Sequence, residues 1–247
     1  MGATRGTEDT IAASLRDHVS GPVSTAREVV AAEFEEVDAE RRAFEQFRDR
    51  VAGIETVSMS QSLPASQRSG FVQTRPQCVE RVRNAFRETV MSVDHYDEVY
   101  GETLAEHFAA ELSAELLAGL RPAGQSQFTD LYKRTLLAGI DSAIEQRETF
   151  CDLLDNERAS LETSADELAA AVDELDGTRV PAHVRADFAE TLDDVARRRQ
   201  ETFAGRTSSP RTDGHDLCSY LYEDCGWTYP VLTAVTRLRG GVNGLVA

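Results

Sequence analysis

The sequence predicts an all-α protein: a helical bundle carrying a long antiparallel, coiled-coil-like helical hairpin, followed by a short C-terminal helical segment. Three observations carry this reading. Apolar residues recur at alternating three- and four-residue steps, the period of a helix face. Strand-type alternation is absent except within residues 54–73. Gly and Pro punctuate the chain at the ends of those periodic runs, where helices stop and start.

The elements follow in order. Residues 1–21 are polar and weakly periodic, and Gly21-Pro22 is expected to break the chain. From Val23 to about Val51 a helix is expected, with Val23, Val30, Phe34, Val37, Phe44 and Val51 on one seam and Arg27, Arg41 and Arg48 in its gaps. Residues 52–75 are rich in Ser and Gln, contain Pro64 and Gly70, and predict a long loop. Thr74-Arg75-Pro76-Gln77 has the chemistry of a helix start, with Thr as N-cap, Pro in the first turn and Gln three residues after the cap. A helix at about 76–91 and another at about 94–118 are expected to follow. The second carries Tyr96, Tyr100, Leu104, Phe108 and Leu112 on one row.

Arg121-Pro122-Ala123-Gly124 ends that bundle, which spans 22–124. The longest pattern occupies about 126–176. Ile140, Ile144, Cys151, Leu154, Leu161, Ala165, Leu168, Val172 and Leu175 fill heptad core positions, and Arg147 and Arg158 fill the other two. Those two arginines imply acidic partners or water inside the seam, or a seam open to solvent at their levels. Asp176-Gly177 caps the helix, and Pro181 opens a return helix to about Phe203 with Val184, Phe188, Leu192 and Val195 inward. The short connection makes an antiparallel hairpin of 125–204. A polar linker at 205–214 leads to an aromatic-rich segment at 215–247. There a helix is expected at about 216–223, a turn at Cys225-Gly226 and a second helix from about Tyr229 to Arg239.

Charge bounds the setting. Acids outnumber bases 43 to 26, giving −17, and 25 of the 26 bases are Arg, with Lys133 the one Lys. Glu98, Glu102 and Glu106, at four-residue spacing, are expected to stack on one helix face, which costs a few tenths of a kcal/mol per pair in dilute buffer. At about 1 M salt the Debye length falls to about 3 Å and most of that cost disappears. The composition therefore predicts a protein made for a cytoplasm at molar salt. An acidic body repels nucleic acid and anionic membranes, so both are disfavoured as partners. No run approaches the roughly 18 apolar residues of a transmembrane span. The start lacks an apolar signal core, so a cytoplasmic location is expected.

Three stretches together resemble a family of uncharacterised haloarchaeal proteins: AREVVAAEFEEVDAERRAFEQF (26–47), ETVMSVDHYDEVYGETLAEHFAAEL (88–112) and YLYEDCGWTYPVLTAVTRL (220–238). The resemblance covers nearly the whole chain. It implies a halophilic, cytoplasmic, all-helical protein and assigns no catalytic or binding residue, because that family has no assigned function. Cys225 departs from it, standing where a polar or acidic residue is expected, and this counts against a metal role for that thiol.

Four groups of residues are candidate sites. His215, Cys218 and Cys225 have three potential zinc ligands in the order H-x2-C-x6-C, with His183 or Cys151 as a fourth only through the fold. Zinc usually announces itself by paired C-x2-C spacing, which the chain lacks, so two half-buried thiols and a loop His are the expected reading. Asp94, His95, Tyr96, Asp97 and Glu98, with His107 and Glu111, could tune a general base or hold a cation. No Glu-x-x-His pair of the di-iron bundles occurs, so an acid-rich helix start with His107 bonded to Glu111 is expected. Arg81, Arg83 and Arg87, Arg197–Arg199, and Arg237 with Arg239 could grip phosphate, but at −17 they are expected to pair with acids. A DNA-binding helix-turn-helix at 217–239 is disfavoured, because only Arg237 and Arg239 could face DNA, at the wrong end of the second helix.

No P-loop, G-x-G-x-x-G, G-x-S-x-G or H-E-x-x-H motif is present. The expected function is therefore a non-enzymatic interaction or regulatory protein without a cofactor, acting on a protein partner or by self-association through its helices. The alternatives are a small-molecule- or metal-responsive sensor and an enzyme without a recognisable motif. Tyr220, Tyr222, Trp227 and Tyr229 are the candidates for a partner surface, since Tyr and Trp carry interface hot spots. The competing role for these rings is to dock the C-terminal segment onto the protein.

Overall fold

The computed structural model describes residues 5–56, 74–120, 128–175, 182–204 and 216–244. Among them the fold is all-α, with no strand. Two long helices, α1 (Arg5–Ala52) and α6 (Asp130–Glu174), dominate it. Between them lie α2 (Thr74–Glu88), α3 (Tyr96–Val99), α4 (Leu104–Glu111) and α5 (Ala114–Gly119). After them come α7 (Ala182–Ala204), α8 (Leu217–Leu221) and α9 (Pro230–Gly244). The chain divides into two compact units: a central one, Glu35–Cys151, and a terminal one, Met1–Phe34 with Asp152–Ala247. Both boundaries fall inside long helices, so α1 and α6 each contribute to both units.

The expected break at Gly21-Pro22 does not occur, because α1 runs through Pro22. A proline inside a helix forfeits one backbone hydrogen bond. Here Pro22 is buried, and Val23, Ala26 and Val30 after it are buried too, so packing offsets that loss. Of the expected seam of α1, Val37, Phe44 and Val51 are fully buried as well, while Phe34 is only half-buried.

The single helix expected over 94–118 is broken into α3, α4 and α5. Gly101 adopts φ +56°, the left-handed region that terminates helices. Thr103 then starts α4 with a complete capping box: its side chain accepts from the Glu106 amide, while the Glu106 carboxylate accepts from the Thr103 amide at 2.9 Å. The Thr103 hydroxyl and amide hold the Glu106 carboxyl below its usual value. Glu102 thus lies between helices, and the expected stack of Glu98, Glu102 and Glu106 on one face does not form. Ser113 starts α5, its Oγ accepting from the Leu116 amide at 3.2 Å.

In the central unit α1, α2, α4, α5 and α6 enclose one apolar core. Phe86 sits at its middle, edge-on to Phe47 at 5.2 Å and to Phe108 at 5.1 Å. Lys133 does a job here suited to a compact ammonium. Its Nζ donates to the carbonyls of Ala52, 2.6 Å, and Ile54, 2.8 Å, where α1 ends and its dipole is negative.

In the terminal unit α7 is tied to α6 by Arg199–Glu157 and Arg198–Glu167 ion pairs. The expected turn residues Asp176, Gly177 and Pro181 lie outside the described residues. Leu154, Leu161 and Leu168 of α6 are fully buried, as expected of a seam. The buried face is wider than a two-stranded seam, however. A further row at seven-residue spacing, Leu136, Ala143, Phe150, Glu157, Ser164 and Ala171, is buried along its length. That breadth is the signature of a helix packed on several neighbours and not on one. The C-terminal segment packs in this unit through Leu217, Leu221, Val231 and Leu238, and Pro230 occupies the first position of α9.

Candidate functional site

Two buried polar clusters stand out, one in each unit, and each is built around a glutamate on a long helix. In the central unit the hub is Glu40 of α1, 5 % exposed. Arg147 of α6 donates from Nε to Glu40 Oε2 at 2.8 Å and from Nη2 to Glu111 Oε1 at 2.9 Å. The Tyr100 hydroxyl donates to Glu40 Oε1 at 2.6 Å, and His95 Nε2 lies 3.3 Å from the same oxygen. The Arg147 guanidinium lies 4.3 Å from the centre of the Phe44 ring. Beside this network His107 is buried against Phe86, Tyr96 and Tyr100, with ring centres at 5.8, 5.0 and 4.7 Å.

Much of the acidic and aromatic cluster expected around 94–111 thus converges, but with different pairing. His107 Nδ1 meets Glu102 Oε2 at 3.1 Å, not Glu111. Glu111 is taken by Arg147, and the turn at Gly101 is what swings Glu102 to His107. Arg147 has the acidic partners that its place in an apolar seam implied. Arg158, the other seam arginine, lies at the surface paired with Asp155 at 2.8 Å. Glu40 was not among the sequence candidates. Its signal was its row: Ala26, Glu33, Glu40, Phe47 and Ile54 follow at seven-residue spacing, and a Glu there points inward.

In the terminal unit the hub is Glu157 of α6, fully buried and also missed for want of the same row argument. Arg199 of α7 donates to Glu157 Oε1 and, from Nη1, to Ser160 Oγ at 2.7 Å. The Tyr222 hydroxyl donates to Glu157 Oε1 at 2.8 Å. Burial, then the neighbouring Glu157 carboxylate, pushes the Tyr222 phenol well above its usual range. Arg199 Nε is buried with no hydrogen bond among the described residues. Its guanidinium sits 4.6 Å from the centre of the Phe203 ring.

The four aromatic candidates therefore divide. Tyr222 is 1 % exposed, which removes it from any partner surface: it anchors the segment to α6. Tyr220 is half-buried, and its hydroxyl donates to Glu33 of α1 at 2.8 Å. Trp227 packs on Tyr222 with ring centres 5.4 Å apart and is half-buried. Tyr229 is 40 % exposed and packs against Phe203, with ring centres 5.2 Å apart and the planes tilted at 46°. The Tyr222 anchor makes a measurable claim. Tyr222→Phe should cost about 1.5–3 kcal/mol, the worth of a hydrogen bond to a buried charge. Denaturant unfolding in molar KCl, followed through Trp227 on the adjacent ring, reads it; an unchanged midpoint would contradict the anchor.

Six of the cluster arginines pair with acids, Arg198 and Arg199 as already described. Arg83 and Arg87 lie 3.8 and 3.6 Å from Glu80, and Arg197 and Arg239 bridge to Asp194 and Asp193. Among the described residues no group of three His, Cys, Asp or Glu side chains converges as a metal site, and His215 lies outside them. Cys218 is buried and Cys225 half-buried. No described helix is long and apolar enough to cross a membrane. No curated protein and no solved structure matches the chain. A family model matches residues 21–244, nearly the whole length, and the chain accordingly belongs to the family defined by the domain of unknown function DUF7260.

Proposed function

We propose that this chain is a non-enzymatic interaction protein of a high-salt cytoplasm, and that its C-terminal segment presents the surface a protein partner takes. The observation that carries the reading is the division within one short aromatic stretch. Tyr220 and Tyr222 turn their hydroxyls inward to Glu33 and Glu157, fixing the segment, while Tyr229 stays 40 % exposed on the ring of Phe203. A rigidly held aromatic at the surface is the usual anchor of an interface, because little side-chain entropy is lost when a partner covers it. The sensor alternative has less support. His95, Tyr100 and His107, which would line its pocket, are bonded to Glu40 and Glu102.

The high-salt part of the reading rests on the charge of −17 and the single Lys. The test is the double variant Trp227→Ala/Tyr229→Ala, used in molar KCl to recover partners from a lysate of the source cells. The variant should stay folded in that buffer by circular dichroism and should fail to recover partners that the native chain retains. Equal recovery by both chains would overturn the reading.

A further inference from the structure

We propose that the exposed ring of Tyr229, tilted against Phe203, receives an arginine side chain of the partner protein. This inference rests on the interaction reading above and names the chemistry of the partner. Three observations lead to it. The first is charge. From Asp216 to Tyr229 the chain carries Asp216, Glu223 and Asp224 and no basic residue, and all three carboxylates are exposed. Asp216 is near enough to Tyr229 that its carboxylate is the first cause of the raised phenol pKa. A cation is favoured there, and a second acidic chain is not.

The second is the ring geometry. Phe203 already holds the Arg199 guanidinium at 4.6 Å and Tyr229 at 5.2 Å, so arginine and two rings are in sequential contact, and the last member is 40 % exposed. The same pairing recurs elsewhere in the chain, with Arg147 over Phe44 at 4.3 Å and Arg158 over Phe34 at 5.8 Å.

The third is the physics of concentrated salt. At about 1 M the Debye length is about 3 Å, so a strongly hydrated ammonium attracted only by charge loses most of its advantage. A guanidinium is planar and weakly hydrated, and it stacks on an aromatic face in direct contact. The two cations are thereby distinguished, and arginine is the one that fits.

The experiment uses the full chain in 2 M KCl and three peptides, Ac-GRGRG-NH2 and its lysine and citrulline counterparts. Emission of Trp227, two residues from Tyr229, is the readout, with nuclear magnetic resonance of the Tyr229 ring as a second. The arginine peptide should bind saturably and about fivefold more tightly than either counterpart, as a stacked cation implies. Tyr229→Leu, which keeps an apolar side chain but removes the ring, should abolish that preference. Leu131→Ala, at an exposed position of the central unit, should leave it intact. Equal response to all three peptides, or a preference that survives Tyr229→Leu, would overturn the proposal. The broader reading fails separately. If the Trp227→Ala/Tyr229→Ala variant loses its partners while arginine shows no preference, only the arginine assignment falls; if partners are kept as well, both fall.

Discussion

Arg147→Met should destabilise the central unit by about 3–5 kcal/mol, the cost of leaving buried charges without their counter-ion. Arg147 is 2 % exposed, and it donates to both Glu40 Oε2 and Glu111 Oε1. Methionine fills much of its volume and can still pack on Phe44, so lost packing contributes little. The triple variant Glu40→Met/Glu111→Leu/Arg147→Met separates charge from shape. Replacing a whole buried ionic group by apolar residues is often neutral or stabilising, so the triple variant should regain most of the loss. Urea unfolding followed by circular dichroism in molar KCl measures both. An Arg147→Met midpoint equal to that of the native chain would mean that the network contributes nothing to folding.

The second large effect is expected at Leu168. It is fully buried on the face of α6 that the terminal unit covers, and Leu168→Ala should cost about 2–5 kcal/mol. The upper part of that range applies if the broad packing of α6 prevents collapse around the cavity. A change below about 0.5 kcal/mol in the same unfolding assay would place the position at the surface and contradict the packing of the terminal unit.

These two residues mark how the sequence could and could not be read. Leu168 was legible because apolar periodicity reports burial directly, and Arg147 because a charge inside such a period demands a partner. The partner itself was not legible. Glu40 is one acid among many on α1, and its contacts come from residues 55, 60 and 107 positions away. Burial of a Glu is visible only when its seven-residue row is followed past its apolar members, as for Glu40 between Ala26 and Ile54 and for Glu157 between Phe150 and Ala171. The break at Gly101 was hidden for a different reason. Tyr96, Tyr100, Leu104 and Phe108 keep a four-residue step across it, and such a row suits one helix as well as two helices meeting at a turn. The local signal was nevertheless there in Gly101 and in the Thr103–Glu106 capping box. At Pro22 the reverse holds: the apolar row from Val23 onward predicts a helix, but the polar, weakly periodic residues before Gly21-Pro22 give no signal that α1 already begins at Arg5.

A common device joins the clusters. Glu33, Glu40 and Glu157 each accept a tyrosine hydroxyl, from Tyr220, Tyr100 and Tyr222, at 2.8, 2.6 and 2.8 Å. Each bond ties a shorter element to a long helix through a polar contact of fixed geometry. The surface left by this arrangement at the C-terminal segment is what the proposed function uses. Trp227, the one tryptophan of the chain, reports on it without any label. Acrylamide quenching of Trp227 emission, in molar KCl, is therefore the most direct measurement: the free chain should show partly accessible, quenchable emission that becomes protected when the recovered partner is added back, whereas blue-shifted emission already protected in the free monomer, and unchanged by that partner, would contradict the account.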